Sequence, residues 1–135
     1  CNDAEVHPDW CVRDRKGAIV TSDVWPEDAK ADDPKPSYQW KFLCANTGYH
    51  DHIMEQVEEI CKRYPVVDGL WFDIYMSFRH CFCDACTKEM EELGVDKDDE
   101  EAVGAFNVHV MDRHQKALRE LISQYHPAAW AYASR

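Results

Sequence analysis

The apolar positions between Tyr49 and Tyr64 fall at Ile53, Val57, Ile60, Cys61 and Tyr64, a 3.6-residue stripe that Pro65 stops, and this pattern predicts a helix. Val66 to Ile74 is a near-continuous apolar run instead, the pattern of a parallel strand buried on both faces. A second helix is expected from Asp84 to Leu93, stopping at Gly94. A longer one follows the acidic Asp96 to Glu101 segment and keeps Val103, Phe106, Val110, Met111, His114, Leu118, Leu121, Ile122 and Tyr125 on one face until Pro127. The acidic run sits at that helix's N-terminus, where the macrodipole favours negative charge, so it reads as a solvated helix end. Trp40 to Ala45 predicts a buried strand ending in the Asn46-Thr47-Gly48 turn, and Ala128 to Ala133 predicts another. Residues 1–39, with Pro8, Pro26, Pro34 and Pro36 and a charged stretch from Glu27 to Lys35, read as a long loop region. Ala18 to Val20 is expected there as a short edge strand or hairpin arm after Arg15-Lys16-Gly17.

Strand, helix, strand, helices, strand is the order of an α/β protein with a parallel sheet. A closed (β/α)8 barrel needs about 200 residues or more, so 135 residues supply only its central units. The expected organisation is a single partial TIM-barrel domain over 1–135, with 1–39 as loop and 40–135 as β/α units. A chain that opens on Cys1 and stops at Arg135 after a strand-like stretch reads as part of a longer parent. Its open sheet edges call for the remainder of the barrel or self-association.

Charge narrows the partners. Fifteen Lys+Arg against 26 Asp+Glu leave a formal net charge of −11, which argues against binding nucleic acid or anionic lipid. No apolar run approaches the roughly 20 residues needed to cross a bilayer.

Seven cysteines are present, and three crowd together as Cys81-Phe82-Cys83-Asp84-Ala85-Cys86. A disulfide between Cys81 and Cys83 would be strained, whereas thiolates at this spacing can converge on one cation, so zinc is favoured. Cys44, near the end of the preceding strand, is the preferred fourth ligand because neighbouring parallel strands would bring the two loops together. It completes a closed four-sulfur structural site, and His80 is the competing candidate. Cys61 reads as a buried free thiol and Cys11 as an exposed one. Reduced metal-binding thiols favour a cytoplasmic setting.

Ligands of parallel α/β sheets bind beyond the carboxyl ends of the strands, which points to Asn46, Asp73 and their neighbours. Asp73 after Leu70-Trp71-Phe72 is either a glycosidase carboxylate among aromatic groups or a helix cap or arginine partner. His7-Pro8-Asp9-Trp10 with Arg13-Asp14 is either part of a sugar-binding wall or a loop packed by its own Trp10. His109, His114 and His126 belong to the long helix, and Asp51 and His50 to capping or substrate contact.

Phe42-Leu43-Cys44-Ala45-Asn46-Thr47-Gly48-Tyr49, then Val67-Asp68-Gly69-Leu70-Trp71-Phe72-Asp73-Ile74, then the Cys81 to Cys86 cluster together resemble the middle of TIM-barrel glycoside hydrolases. The likeness is to uncharacterised glycosyl hydrolases related to α-L-fucosidases (family 29-like) and, more distantly, to family 42 β-galactosidases. The β-galactosidase resemblance implies a structural zinc on Cys44, Cys81, Cys83 and Cys86. The fucosidase resemblance implies Asp73 of Trp71-Phe72-Asp73 as nucleophile of a retaining enzyme, since Phe72-Asp73 departs from the Asn-Glu pair of the β-galactosidases. The combined expectation is a glycoside hydrolase fragment acting on carbohydrate, inactive in isolation, with His7, Trp10, Asn46, Tyr49 and Trp71 as sugar contacts. The other class to weigh is a non-catalytic carbohydrate-binding or zinc-stabilised interaction module.

Overall fold

A computed structural model describes residues 3–21, 40–72 and 80–133. The charged stretch at 27–35 and Asp73 lie outside the described residues. After a short helix α1 (Asp3–Val6) and a 3-10 turn at Pro8–Trp10 come α2 (Tyr49–Arg63), β1 (Gly69–Phe72), α3 (Asp84–Leu93), α4 (Glu100–Tyr125) and β2 (Trp130–Ala133).

The helices begin and end where local chemistry dictates. Asp99 caps α4 by accepting from the Glu101 and Ala102 amides at 2.9 and 3.3 Å, which satisfies two donors a helix start leaves open. α3 ends at Gly94, whose φ of 69° is the left-handed conformation that glycine adopts without strain.

β1 and β2 pair in parallel, with Gly69 opposite Trp130 and Phe72 opposite Ala133. One face of this ladder, through Leu70, Phe72 and Ala131, packs on Val57 and Cys61 of α2 and Leu118 and Ile122 of α4. Side chains alternate along a strand, so Trp71 projects from the other face, where it is 58% exposed. Trp130 shares that face, its indole lying across Gly69. The expected two-faced burial of Val66 to Ile74 is thus corrected for its described part: among the described residues only the helix side carries a covering layer.

The stretch 40–45 is a second correction. Among the described residues it joins no parallel ladder. Cys11, Arg13 and Thr21 make antiparallel bridges to Leu43, Ile19 and Lys41, so that segments around 12, 20 and 42 pair with one another. The Val12 amide donates to Phe42 O, that of Val20 to Val12 O and that of Phe42 to Val20 O. An apolar run states that a strand is buried, and not which partner it takes. The hairpin arm expected at Ala18 to Val20 is present: Asp14 Oδ1 accepts from the Lys16 and Ala18 amides, each at 2.8 Å, and turns the chain at Gly17.

Two buried clusters share α4 as their spine. Val103, Phe106 and Val110 of its first half pack with Val12, Cys44, Cys81, Cys83, Cys86 and Met90, and its second half covers the sheet. His114, 1% exposed, sits between them on the same helix face. No helix among the described residues is long and apolar enough to cross a membrane.

Candidate metal centre

The three cysteines singled out by spacing meet in space with Cys44, the fourth expected from its place near a strand end. Cys44 ends the segment held by the antiparallel bridges, its amide donating to Trp10 O at 2.7 Å, and Thr47 turns the chain back by donating from Oγ1 to Cys44 O at 2.7 Å. The loop carrying Cys81 and Cys83 is tied to the same region: the Phe82 amide donates to Arg13 O at 2.8 Å, and the Arg15 guanidinium lies 4.6 Å from the Phe82 ring centroid. Cys83 is the N-cap of α3 and Cys86 lies in its first turn. From α4, Asn107 Oδ1 accepts from the Cys81 amide at 3.2 Å.

All four sulfurs are buried and lie within 4.8 Å of one another, Cys44 and Cys86 at 3.5 Å. Tetrahedral Zn–S bonds of about 2.3 Å require sulfurs about 3.8 Å apart, so the cluster could hold a metal ion with little movement. The cysteines are free thiols. Hydrogen bonding to the Cys81, Cys83 and Cys86 sulfurs, together with burial, pushes the Cys44 thiol up. Donation from Cys44, Cys81 and Cys86 pulls Cys83 down. A cation that binds here must displace the thiol protons. Tertiary packing, and not neighbouring parallel strands, brings Cys44 to the loop. His80 is turned away, with Nδ1 on Glu100 at 2.9 Å. Cys61 is buried as expected, but Cys11, expected to be exposed, is fully buried beneath α1, its Sγ 3.8 Å from Ala4 O.

Asn46, expected as a sugar contact, has its side chain in this cluster, with Nδ2 on Cys86 Sγ at 3.7 Å and Oδ1 accepting from Arg113 at 2.6 Å. Arg113 forks onto Glu89 at 2.6 and 3.1 Å. The sequence offers no signal for Glu89 and Arg113, which lie on different helices and pair only in the fold.

Beside the cysteine cluster, His7 stacks on Trp10 with ring centroids 3.7 Å apart and 9° between planes. Tyr49 and His52 lie 6.5 and 5.7 Å from the same indole. A Cβ on Gly48 would stand 2.8 Å from Trp10 Nε1, so the indole approaches the start of α2 as closely as a glycine permits. Arg13 donates to Gly17 O and Pro8 O and staples this loop. His7, Trp10 and Tyr49 thus form one cluster at the N-terminus of α2, whereas Trp71 lies apart on the sheet face. Asp51 does not cap α2, whose N-cap is Gly48.

His50 turns inward to His114, Nδ1 to Nδ1 at 2.5 Å. Burial, and then the charge of His50, push the His114 imidazole down from 6.5 to about 4. An unfolded chain therefore takes up this proton before the folded one as pH falls. Stability is expected to be flat above about pH 6.5 and to drop by up to about 3 kcal/mol on the way to pH 4. Urea midpoints at pH 7.5 and 5 for the chain and for His114→Gln check this, because only the wild type should carry the extra loss.

A family model described as Hypothetical glycosyl hydrolase 6 matches residues 2–74, more than half of the chain. Among solved structures, alpha-L-fucosidase isoenzyme 2 from Paenibacillus thiaminolyticus is similar over 97% of this chain, at 27% sequence identity and a TM-score of 0.75. The chain spans 18% of that structure's length. No curated protein matches. The β-galactosidase likeness rests on the cysteine spacing alone.

Proposed function

Because the chain belongs to the Hypothetical glycosyl hydrolase 6 family, we propose that it supplies the central β/α units of a retaining glycoside hydrolase barrel acting on α-L-fucoside-like sugars. The observation that carries this reading is the likeness to the fucosidase over 97% of the chain.

The proposed nucleophile is Asp73, directly after Phe72 at the C-terminal end of β1. In a β/α unit that end of the sheet faces the substrate. α2 runs back into β1, so its N-terminus, with the His7, Trp10 and Tyr49 cluster, belongs to the same end. Trp71, one residue before the C-terminal end of β1, presents an exposed indole on the face opposite the helices, where an aromatic ring can pack on the apolar face of a sugar. In the retaining mechanism the carboxylate attacks the anomeric carbon as the glycosidic bond breaks. A second carboxyl group about 5 Å away protonates the leaving oxygen and then activates water. That second group belongs to a later strand of the parent.

The four cysteines are proposed as ligands of a structural zinc. Thiolate is zinc's preferred soft donor, and four leave no open position, so the ion supplies no chemistry to the substrate. It ties the 80–86 loop, which follows Asp73, to the Cys44 segment.

The test is release of nitrophenol from a panel of aryl glycosides by the full-length parent. Turnover of the α-L-fucoside supports the proposal. Sugar binding without turnover of any member would replace it with a non-catalytic carbohydrate-binding module.

A further inference from the structure

We propose that Asn46, clamped by Arg113 and Glu89, is a positioning residue for the metal centre: it donates hydrogen bonds to two of the four sulfurs and thereby sets metal affinity and sulfur donor strength. The inference rests on the metal-site reading above.

Asn46 reaches the cluster twice. Its backbone amide donates to Cys44 Sγ at 3.4 Å and its side-chain Nδ2 to Cys86 Sγ at 3.7 Å. The other end of the carboxamide accepts from Arg113 Nη2 at 2.6 Å. A guanidinium has only donors, so it can face only the amide oxygen, and the amide nitrogen must then face the sulfur. Glu89 holds the guanidinium by both carboxylate oxygens. The network joins three pieces of chain: Asn46 two residues after Cys44, Glu89 one turn beyond Cys86 on α3, and Arg113 on α4.

The charge of the site explains the arrangement. Four thiolates on a divalent cation carry a net charge of about −2, here against Val12, Met90, Val103 and Phe106. Buried negative charge needs donors and a nearby cation. Asn46 supplies donors on sulfur, and Arg113 supplies a positive charge behind the amide. Outer hydrogen bonds of this kind orient ligands and tune the metal.

The experiment loads the chain with Co2+, whose sulfur-to-metal charge-transfer band reports donor strength, and measures Co2+ and Zn2+ affinity against a chromophoric chelator. Asn46→Ala is expected to weaken binding by roughly 10–100-fold and to move the charge-transfer band to lower energy, while the visible bands stay tetrahedral. Asn46→Asp, nearly isosteric but without the side-chain donor, should show the same shift in a chain verified as folded by circular dichroism. Arg113→Lys keeps the charge and can still donate to the amide oxygen and should leave the band in place, whereas Arg113→Met should move it. A merely structural role would weaken binding without moving the band. Unchanged affinity and band position in both Asn46 variants overturn the inference and leave the metal site standing. A wild-type chain that takes up neither ion overturns both.

Discussion

Removing the zinc proposed for Cys44, Cys81, Cys83 and Cys86 is expected to unpack that end of the molecule, with the sheet end following. Four of the buried residues of that cluster are the proposed ligands themselves, so the core around Val12, Met90 and Phe106 closes only when they converge. Structural zinc in small domains binds with an apparent free energy of about 10–16 kcal/mol near neutral pH. That equals or exceeds the roughly 5–15 kcal/mol total stability of an ordinary domain, so no rearrangement of the apolar contacts can replace it. Cys83→Ser should lose the ion outright and lower the thermal midpoint by tens of degrees, and excess chelator should do the same to the wild type. Cys61→Ser lies in the other cluster and should keep one metal per chain. Native mass spectrometry counts the metal, and amide hydrogen exchange follows Met90 and Val103. Full protection of both amides in metal-free chain would sink the structural role.

Asp73→Asn in the full-length parent should cut kcat/KM on the best aryl glycoside by at least about 10³-fold with little change in thermal midpoint. The amide keeps the shape of the carboxylate and removes its nucleophilicity. A helix-capping aspartate behaves differently: Asn caps as well as Asp, so the same substitution would leave both turnover and stability alone, and Asp73→Ala would cost about 1 kcal/mol of stability without affecting turnover. Asp73→Gly with added azide sharpens the distinction. A vacated nucleophile site should let azide attack the anomeric carbon and release a glycosyl azide of inverted configuration, which a cap has no means of producing. Turnover unchanged by Asp73→Asn would remove the assignment.

Much of the fold is a local matter and is legible in the sequence. Pro65, Gly94 and Asp99 stop or start helices through their own backbone and side-chain chemistry. The stripe from Val103 to Ile122 requires only that one helix face be buried. The Cys81, Cys83 and Cys86 spacing names a loop that could hold a metal because those sulfurs are neighbours along the chain.

The rest depended on residues far apart in sequence. The apolar run at 40–45 is the same whether it joins a parallel sheet or bridges to Cys11 and Thr21. Cys11 is buried because α1 folds over it, and His50 faces His114 because α2 docks on α4. Asn46 looked like a group beyond a strand end, and Arg113, on α4, determines which way its amide points. Sequence by itself determined which segments are helical and which side chains can bind metal, since periodicity and donor chemistry are carried by each segment alone. Only the tertiary structure decided which segments pair and which polar group meets which, because those choices are made by contacts between segments.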